Sequence, residues 1–403
     1  MSQRSETTAL GLTFKNPVIV ASCDIARDPA CFEAFAASGV GGIITKSVTD
    51  APELQESSIA RFHIADMSQR PVQGAFPDSY YFFSRGGSMM SMDALAAEAP
   101  ELLAIGRRYG TVVIGSISAS HPDHWVSYAR QMEALGFAAL ELNFGNPHGE
   151  AAKGKLGYLI GQSPDLCRQI AQAVVQAVKI PVIVKLTPQV SDLTALALAL
   201  QEVGVRAVTV MHRFQGLMID PETDSPILGG CAAIGGPWMK PISLANVSKI
   251  YQKTQLTILG GNGADTARDV YDFLLSGAHL VEICSTMMLR GPAYARQLVQ
   301  ELEALLEQKG KDVASVVGRT AESMVSYKNL GALPRRHSQL DGAVCTGCKE
   351  KTCLQSCYFG GLRLENGQVV QDTDHCSGCG LCVHSCPHGA VKMVMGGTKH
   401  END

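Results

Sequence analysis

Charge is scarce in this chain. Asp, Glu, Lys and Arg supply 18% of its 403 residues, against about 25% in an average soluble domain. The 34 basic residues are outnumbered by 38 acidic ones, a formal net charge of −4, so no basic surplus is on offer to nucleic-acid phosphates. Long apolar runs are missing too. None approaches the ~20 residues that span a bilayer, and the richest, 193–200, reads as a buried helix. Residues 1–10 are polar and lack the apolar centre of a secretory leader, so a cytoplasmic location is expected. Low-complexity runs are absent. So is any Gly-x-Gly-x-x-Gly that follows a strand at the head of a helix, the nicotinamide fingerprint. These absences exclude a nucleic-acid-binding protein, a membrane span, a disordered chain and a self-sufficient NAD(P)H enzyme. What is present is a large core: 46% of residues are hydrophobic. At roughly 100–200 residues per domain, the length allows two or three domains, or one large barrel with an appendage.

Up to about residue 307, short β-branched or aliphatic runs alternate with helical stretches. The runs predict eight strands, over 18–22, 42–46, 112–117, 138–143, 182–186, 207–211, 256–259 and 280–284. Amphipathic stretches at 123–135, 163–178, 192–203 and 264–276 predict helices between them. The strands lack in/out alternation, as expected when both faces are buried. Eight parallel strands with helical crossovers close into a (β/α)8 TIM barrel, usually of ~250 residues; an open doubly wound sheet is the alternative. Residues 8–15 read as a hairpin plugging the barrel bottom. The connections 47–109 and 213–253 are long, and the first has room for a lid. Loops that follow strands build a barrel's active site, so both face the substrate in this reading. Residues 302–333 read as helices leading away, and the composition changes near Arg335. The expected organisation is an α/β barrel over 1–307, a helical linker over 308–337, and a small α+β domain over 338–403.

That last domain is defined by cysteine. Of thirteen cysteines, Cys23, Cys31, Cys167, Cys231 and Cys284 are scattered and eight fall between Cys345 and Cys386. Clustered cysteines in a chain with no export signal favour metal over disulfides. The first run is Cys345-x2-Cys348-x4-Cys353-x3-Cys357. The second, Cys376-x2-Cys379-x2-Cys382-x3-Cys386-Pro387, has the bacterial ferredoxin spacing. In two-cluster ferredoxins the fourth cysteine of each run ligates the other cluster. Cys345, Cys348, Cys353 and Cys386 are therefore expected on one [4Fe–4S] cluster, and Cys357, Cys376, Cys379 and Cys382 on the other. The first run departs from the pattern, with four residues before Cys353. Two structural zinc sites are the alternative. Between the runs, 360–371 reads as a hairpin around Asn366-Gly367.

Such a module carries single electrons and needs a site that uses them. A flavin bridges one- and two-electron chemistry, and the barrel has parts to hold one. Leu259-Gly260-Gly261-Asn262-Gly263 ends the seventh strand and Cys284-Ser285-Thr286 ends the eighth, where barrels bind phosphate. Lys46 ends strand two and Lys185 ends strand five. A buried lysine needs a partner. Flavin N1 and carbonyl oxygens are suitable, and an internal salt bridge to Glu141 or Glu282 is the alternative.

The chain resembles a known family at several motifs. They are Asn16-Pro17, Ala21-Ser22, Thr45-Lys46, Leu142-Asn143, Gly161-Gln162-Ser163-Pro164, Val184-Lys185-Leu186-Thr187-Pro188, Lys240-Pro241-Ile242, Cys284-Ser285 and the double cysteine run. The barrel is similar to class 1 dihydroorotate dehydrogenases. The whole chain resembles the flavin mononucleotide (FMN) and iron–sulfur part of dihydropyrimidine dehydrogenases, above all the bacterial two-subunit form. The resemblance implies flavin contacts at Ala21, Lys46, Asn143, Lys185, Gly236, Gly261, Gly263, Cys284 and Ser285, and Asn262 lies within the same loop. It also implies an electron partner, a flavin adenine dinucleotide subunit that oxidises NAD(P)H, with ferredoxin as a substitute. A homo- or hetero-oligomer is expected.

The pyrimidine-binding positions depart from the family. Its strand-four motif, Asn-x-Ser-Cys-Pro, carries the cysteine that protonates the ring; here Asn143-Phe144-Gly145-Asn146-Pro147 puts Asn146 in its place. The family's Asn-Thr pair after strand six is His212-Arg213, and its asparagine after strand three falls near His121. Neutral amides are thus exchanged for groups able to carry positive charge. Arg213 offers a planar fork suited to a carboxylate, with a local pair to Asp220 as the alternative. The expected substrate is a small conjugated anion. Substrate contacts are expected at His121, Asn146, His212 and Arg213, and the proton donor is sought among His148, Tyr158 and His212. Tyr158 falls in a polar, glycine-rich loop, 149–161, able to close over a substrate. The expected function is an FMN- and iron–sulfur-dependent oxidoreductase of a C=C/CH–CH bond. A pyrimidine reductase with a displaced acid and a non-catalytic electron-transfer subunit are the alternatives.

Overall fold

A computed structural model describes residues 4–55, 60–148 and 156–396. Eight parallel strands close into a barrel: β1 (Val18–Val20), β2 (Gly42–Ile44), β3 (Val112–Ile117), β4 (Ala139–Asn143), β5 (Val182–Lys185), β6 (Ala207–Val210), β7 (Thr257–Gly261) and β8 (Leu280–Ile283), with β8 hydrogen-bonded back to β1. The fold is the expected α/β class, a (β/α)8 barrel followed by a ferredoxin-like module. Six of these strands are buried at every residue, which is why the sequence shows no alternation there: interior and helix-facing positions are both covered.

Inward-facing residues recur every second position along a strand. The lowest layer is apolar and includes Ile19, Ile44, Ile114, Ala139, Ile183, Ala207, Leu259 and Leu280. Ala9 and Phe14 join it from a hairpin of Thr7–Ala9 and Leu12–Phe14, the plug expected over 8–15. Two residues further along, the layer turns polar: Glu141 on β4, Lys185 on β5, Thr209 on β6 and Glu282 on β8. The barrel is thus greasy at its base and ionic toward the strand ends that carry the site.

Both long connections contribute to one antiparallel sheet. From the first come Arg61–Asp66 and Tyr80–Arg85, and from the second Phe214–Gly216 and Ala232–Gly235; Ala233 pairs with Ser84 across them. The first connection then returns through the helix Met92–Tyr109, which Ser91 caps by accepting from the Ala94 amide. The segment 149–155 of the loop expected over 149–161 lies outside the described residues, and 158–161 form a short helix.

The chain divides after Ser323 into two compact units. Of the segment expected as a linker over 308–337, the helices Val313–Val316 and Arg319–Ser323 fall in the first unit. Val313 and Val316 are buried in the barrel's outer core, which ties them to it. Strand Arg336–Leu340 falls in the second unit, paired antiparallel with Val391–Met395. That unit also holds a hairpin, Leu362–Glu365 with Gln368–Gln371, turning at Asn366 and Gly367, both at positive φ. Its core consists of Cys353, Leu362, Val369, Cys382 and Val391. Two of five core side chains are cysteines, too little grease to hold such a unit without a further staple.

Asn16 locks the first turn of the barrel. Its Oδ1 accepts from the amides of Val18 and Gly41, and its Nδ2 donates to Gly39 O at 2.7 Å. Gly41 leaves no choice of side chain: a Cβ there would lie 1.9 Å from Asn16 O. Asn16→Ala strands the buried Val18 amide and takes one of two acceptors from Gly41 N, which also donates to Val18 O at 2.9 Å. It is expected to cost the barrel about 2 kcal/mol or more in urea unfolding; a change under about 0.5 kcal/mol would mean that the amides find other acceptors.

Candidate functional site

The polar layer opens at the strand ends into two adjoining cavities, which share Ser22, His212 and Arg213 as walls. The smaller is walled largely by backbone, at Ala21, Gly235, Gly236, Gly261, Asn262, Gly263 and Ala264, with Lys185, Glu282, Cys284 and Ser285 completing it. The larger is about 580 Å³, the size of a small-molecule site. Lys46, Ser84, Arg85, Asn143, Asn146, His148, His212 and Arg213 are among its walls. Of the expected flavin contacts, Ala21, Lys185, Gly236, Gly261, Asn262, Gly263, Cys284 and Ser285 face the first cavity, and Lys46 and Asn143 the second.

Each wall follows from local structure. Gly261 ends β7, and a Cβ built on it would lie only 3.3 Å from Met211 O, a tight contact. Gly263 is different: its φ of +126° and a Cβ position 2.5 Å from Lys240 N exclude any side chain. Ser285 opens the helix that follows β8, where unpaired N–H groups favour an anion.

Lys185 ends β5 almost fully buried and makes the internal ion pairs set out as the alternative. It bonds Glu282 closely and lies 3.4 Å from Glu141 Oε1. Burial works against its charge, but Glu141 and Glu282 more than offset this and raise its pKa above the ordinary range. It still lines the first cavity, so its pairing leaves it at the surface where a flavin would lie. Lys46 pairs with Asp24 at 2.7 Å. Asn143 donates to Ser47 Oγ at 3.5 Å, and Ser47 in turn bonds Ser22 and Ser116. Cys284 is drawn down to about 7 by a hydrogen bond with Cys23, with Arg213 and Lys185 helping against burial.

On the substrate side, Arg213 donates to Ser84 Oγ at 2.6 Å, and among the described residues no salt bridge joins it to Asp220. Asn146 accepts from the His148 amide at 3.1 Å. His212 is half-buried between the two cavities; desolvation first, then Lys185 and Arg213, hold its pKa well below 6.5, so the ring is neutral. His121 is not brought to the site. It caps the helix Pro122–Leu135, its Nδ1 taking the Asp123 amide at 3.3 Å, and it is a wall of neither cavity. Tyr158 opens the short helix 158–161, its amide donating to Asn146 O at 3.0 Å, and is likewise a wall of neither cavity. Residues the sequence did not single out are Asp24, Cys23, Ser84 and Arg85. The last two lie in a connection marked as substrate-facing, but no motif distinguishes them.

In the second unit all eight clustered cysteines are free thiols. Around Cys353 stand Cys345, Cys348 and Cys386; around Cys382 stand Cys357, Cys376 and Cys379. Backbone amides point at sulfur: Leu362 N at Cys357, Ser338 N at Cys376 and Ala390 N at Cys386, at 3.1, 3.4 and 3.2 Å. Convergent thiols with N–H donors suit iron–sulfur clusters, whose charge such bonds offset.

Comparison with known proteins bears on the same two parts. The family model described as "Dihydroorotate dehydrogenase" matches residues 75–306, and that described as "4Fe-4S binding domain" matches 369–392. The "dihydroorotate dehydrogenase B (NAD(+)), catalytic subunit" of Methanocella arvoryzae is 32% identical over 69% of this chain and 85% of its own. The protein of the same name from Methanocaldococcus jannaschii is 28% identical over 79% and 98%. The "dihydroorotate dehydrogenase A (fumarate)" of Lactobacillus helveticus is 29% identical over 77% and 96%. The chain belongs to the dihydroorotate dehydrogenase family. It is a flavin and iron–sulfur oxidoreductase of that kind, with an FMN-type barrel and at least one [4Fe–4S] cluster. No helix among the described residues is long and apolar enough to cross a membrane.

The neutral His212 has a measurable consequence. Below about pH 6.5 the unfolded chain protonates this ring while the folded barrel resists. Stability therefore falls as pH drops through that region, with His63 and His279, also lowered by burial, adding to the slope. Thermal unfolding of His212→Gln between pH 7.5 and 5.5 is expected to show a shallower loss than the parent; an equal loss would place a charged ring in the fold.

Proposed function

We propose that the chain reduces or oxidises a C=C/CH–CH bond of a small conjugated anion, with FMN in the barrel and electrons passing through two [4Fe–4S] clusters. The observation that carries this is the convergence of Arg213, Arg85 and Lys46 on one cavity beside the backbone-walled one. Asp24 offsets Lys46, which leaves Arg213 and Arg85 against the single carboxylate of Glu53 and favours an anionic occupant. The relatives' names specify dihydroorotate, itself a ring carboxylate with a CH–CH bond, and a substrate of that class fits the same reading.

The residues then divide the work. Gly236, Gly261, Asn262, Gly263 and Ser285 would hold the phosphate and ribityl end of FMN, and Ala21, Lys46, Asn143, Lys185 and Cys284 the ring end. When bound, FMN supplies hydride transfer and the step between electron pairs and single electrons. Arg213, held by Ser84, presents its fork to a carboxylate. Asn146 cannot serve as an acid. His212 is neutral and walls both cavities, which fits it to orient the substrate rather than to protonate it. His148, a wall of the same cavity, is our proton donor. Cys345, Cys348, Cys353 and Cys386 would ligate one cluster, and Cys357, Cys376, Cys379 and Cys382 the other. A flavin adenine dinucleotide subunit that oxidises NAD(P)H, or a ferredoxin, would exchange electrons with them.

The test is turnover with an artificial electron carrier across conjugated carboxylates, dihydroorotate included, alongside uracil and thymine. Turnover of a carboxylate is expected. Arg213→Ala is expected to raise its KM about tenfold or more, the loss of one charged hydrogen bond, with flavin content unchanged. Uracil turnover matching the carboxylates, or an unchanged KM in the variant, would contradict the anionic reading.

A further inference from the structure

Two carboxylates and one ammonium lie buried at the floor of the backbone-walled cavity. Glu141 is 0% and Glu282 3% exposed. Thr209 Oγ1 lies 2.9 Å from Glu141 Oε2 and 2.7 Å from Glu282 Oε1. A hydroxyl has one hydrogen to donate, and an ionised carboxylate has none. Both contacts are hydrogen bonds only if one carboxyl is protonated. Charge points the same way: two carboxylates against Lys185 alone would bury a net negative charge, which one proton removes.

The geometry also assigns the proton. Glu282 takes Lys185 Nζ on Oε2 and the Thr209 hydroxyl on Oε1, so both its oxygens accept. Glu141 stands farther from Lys185, at 3.4 Å and 3.5 Å. Burial, and then the charge of Glu282, push its pKa up to about 8. Glu141 therefore donates to Thr209, which donates to Glu282.

We propose that Glu141 and Glu282, joined by Thr209, form a one-proton pair that keeps Lys185 charged and the buried group neutral, and that binds its proton more tightly when negative charge enters the cavity above. Lys185 and Glu282 both wall that cavity. Electrons placed on a group there raise the proton affinity of the pair by linkage. On reduction, a pair that has lost its proton to alkaline solvent takes one back; no bond forms to the bound group. The other groups facing this cluster are Cys284, which adds to the field on Lys185, and His212 and Arg213 at its upper edge. The pair acts on the reaction only through Lys185 and is a positioning element. Its existence rests on the barrel alone; its coupling to electrons rests on the flavin reading above.

Difference infrared spectroscopy of the protein carrying carbon-13 glutamate tests the pair. A protonated-carboxyl band is expected at pH 7, bleaching as pH rises past about 8, and missing in Glu141→Gln. In Glu282→Gln, Glu141 becomes the only counter-charge to Lys185 and ionises, so its band is lost at neutral pH. If the charge-removing variants do not fold, Thr209→Val must still shift the band of the wild type. No band that bleaches in wild type, or one indifferent to Glu141→Gln, overturns the pair. The coupling is read from the flavin potential against pH under dithionite reduction. Above about pH 8, wild type is expected to take up one more proton per two electrons than Glu282→Gln. Equal slopes overturn the coupling and leave the pair. Failure to bind flavin overturns the functional reading and leaves the infrared result standing.

Discussion

A lysine sealed inside a barrel must have its charge met, and the site of this protein is organised around that requirement. Lys185 stands where the apolar floor ends, and Glu141, Thr209 and Glu282 stand around it from three other strands. Breaking such a set by removing one partner leaves an uncompensated buried charge, which is worth several kcal/mol. Natural barrels fill this layer with branched aliphatics. Keeping ions here forgoes that packing and gives a preset electrostatic floor beneath the cavities.

The same layer explains how the walls divide. Above the ions, β7 and β8 contribute glycine and helix-start backbone, which admit a flat group and its phosphate. Above β4 and β6 the chain supplies Asn143, Asn146, His148, His212 and Arg213, a polar wall with a cation. The insert sheet brings Ser84 to Arg213 and carries Arg85 to the same cavity. The larger cavity is therefore walled by two connections together: Ala233 of the second pairs with Ser84 of the first, and Ser84 Oγ accepts from Arg213.

Much of this was legible in sequence, for identifiable reasons. The eight strands announce themselves as short runs dominated by Val, Ile and Leu, because burial on both faces removes the in/out alternation. Glu141 and Glu282 follow from the rule that a buried lysine is paired. The sheet made by the two inserts was not legible, since Tyr80–Arg85 and Ala232–Gly235 carry no local signal of pairing across so long a separation. His121 was assigned by its nearness to the resembled family's asparagine after strand three, but the Pro122 that follows it starts a helix, and the histidine ring is used as its cap. The end of the first unit also escaped composition, because Val313 and Val316 fold back on the barrel after its last long helix.

The central claim is that one chain joins a flavin site to two iron–sulfur clusters. The most direct measurement is flavin and iron released per chain after purification without oxygen. About one FMN and roughly eight irons are predicted, one flavin for the barrel and four irons for each group of four thiols. Iron without flavin would contradict the account and leave the barrel as a scaffold for an electron relay.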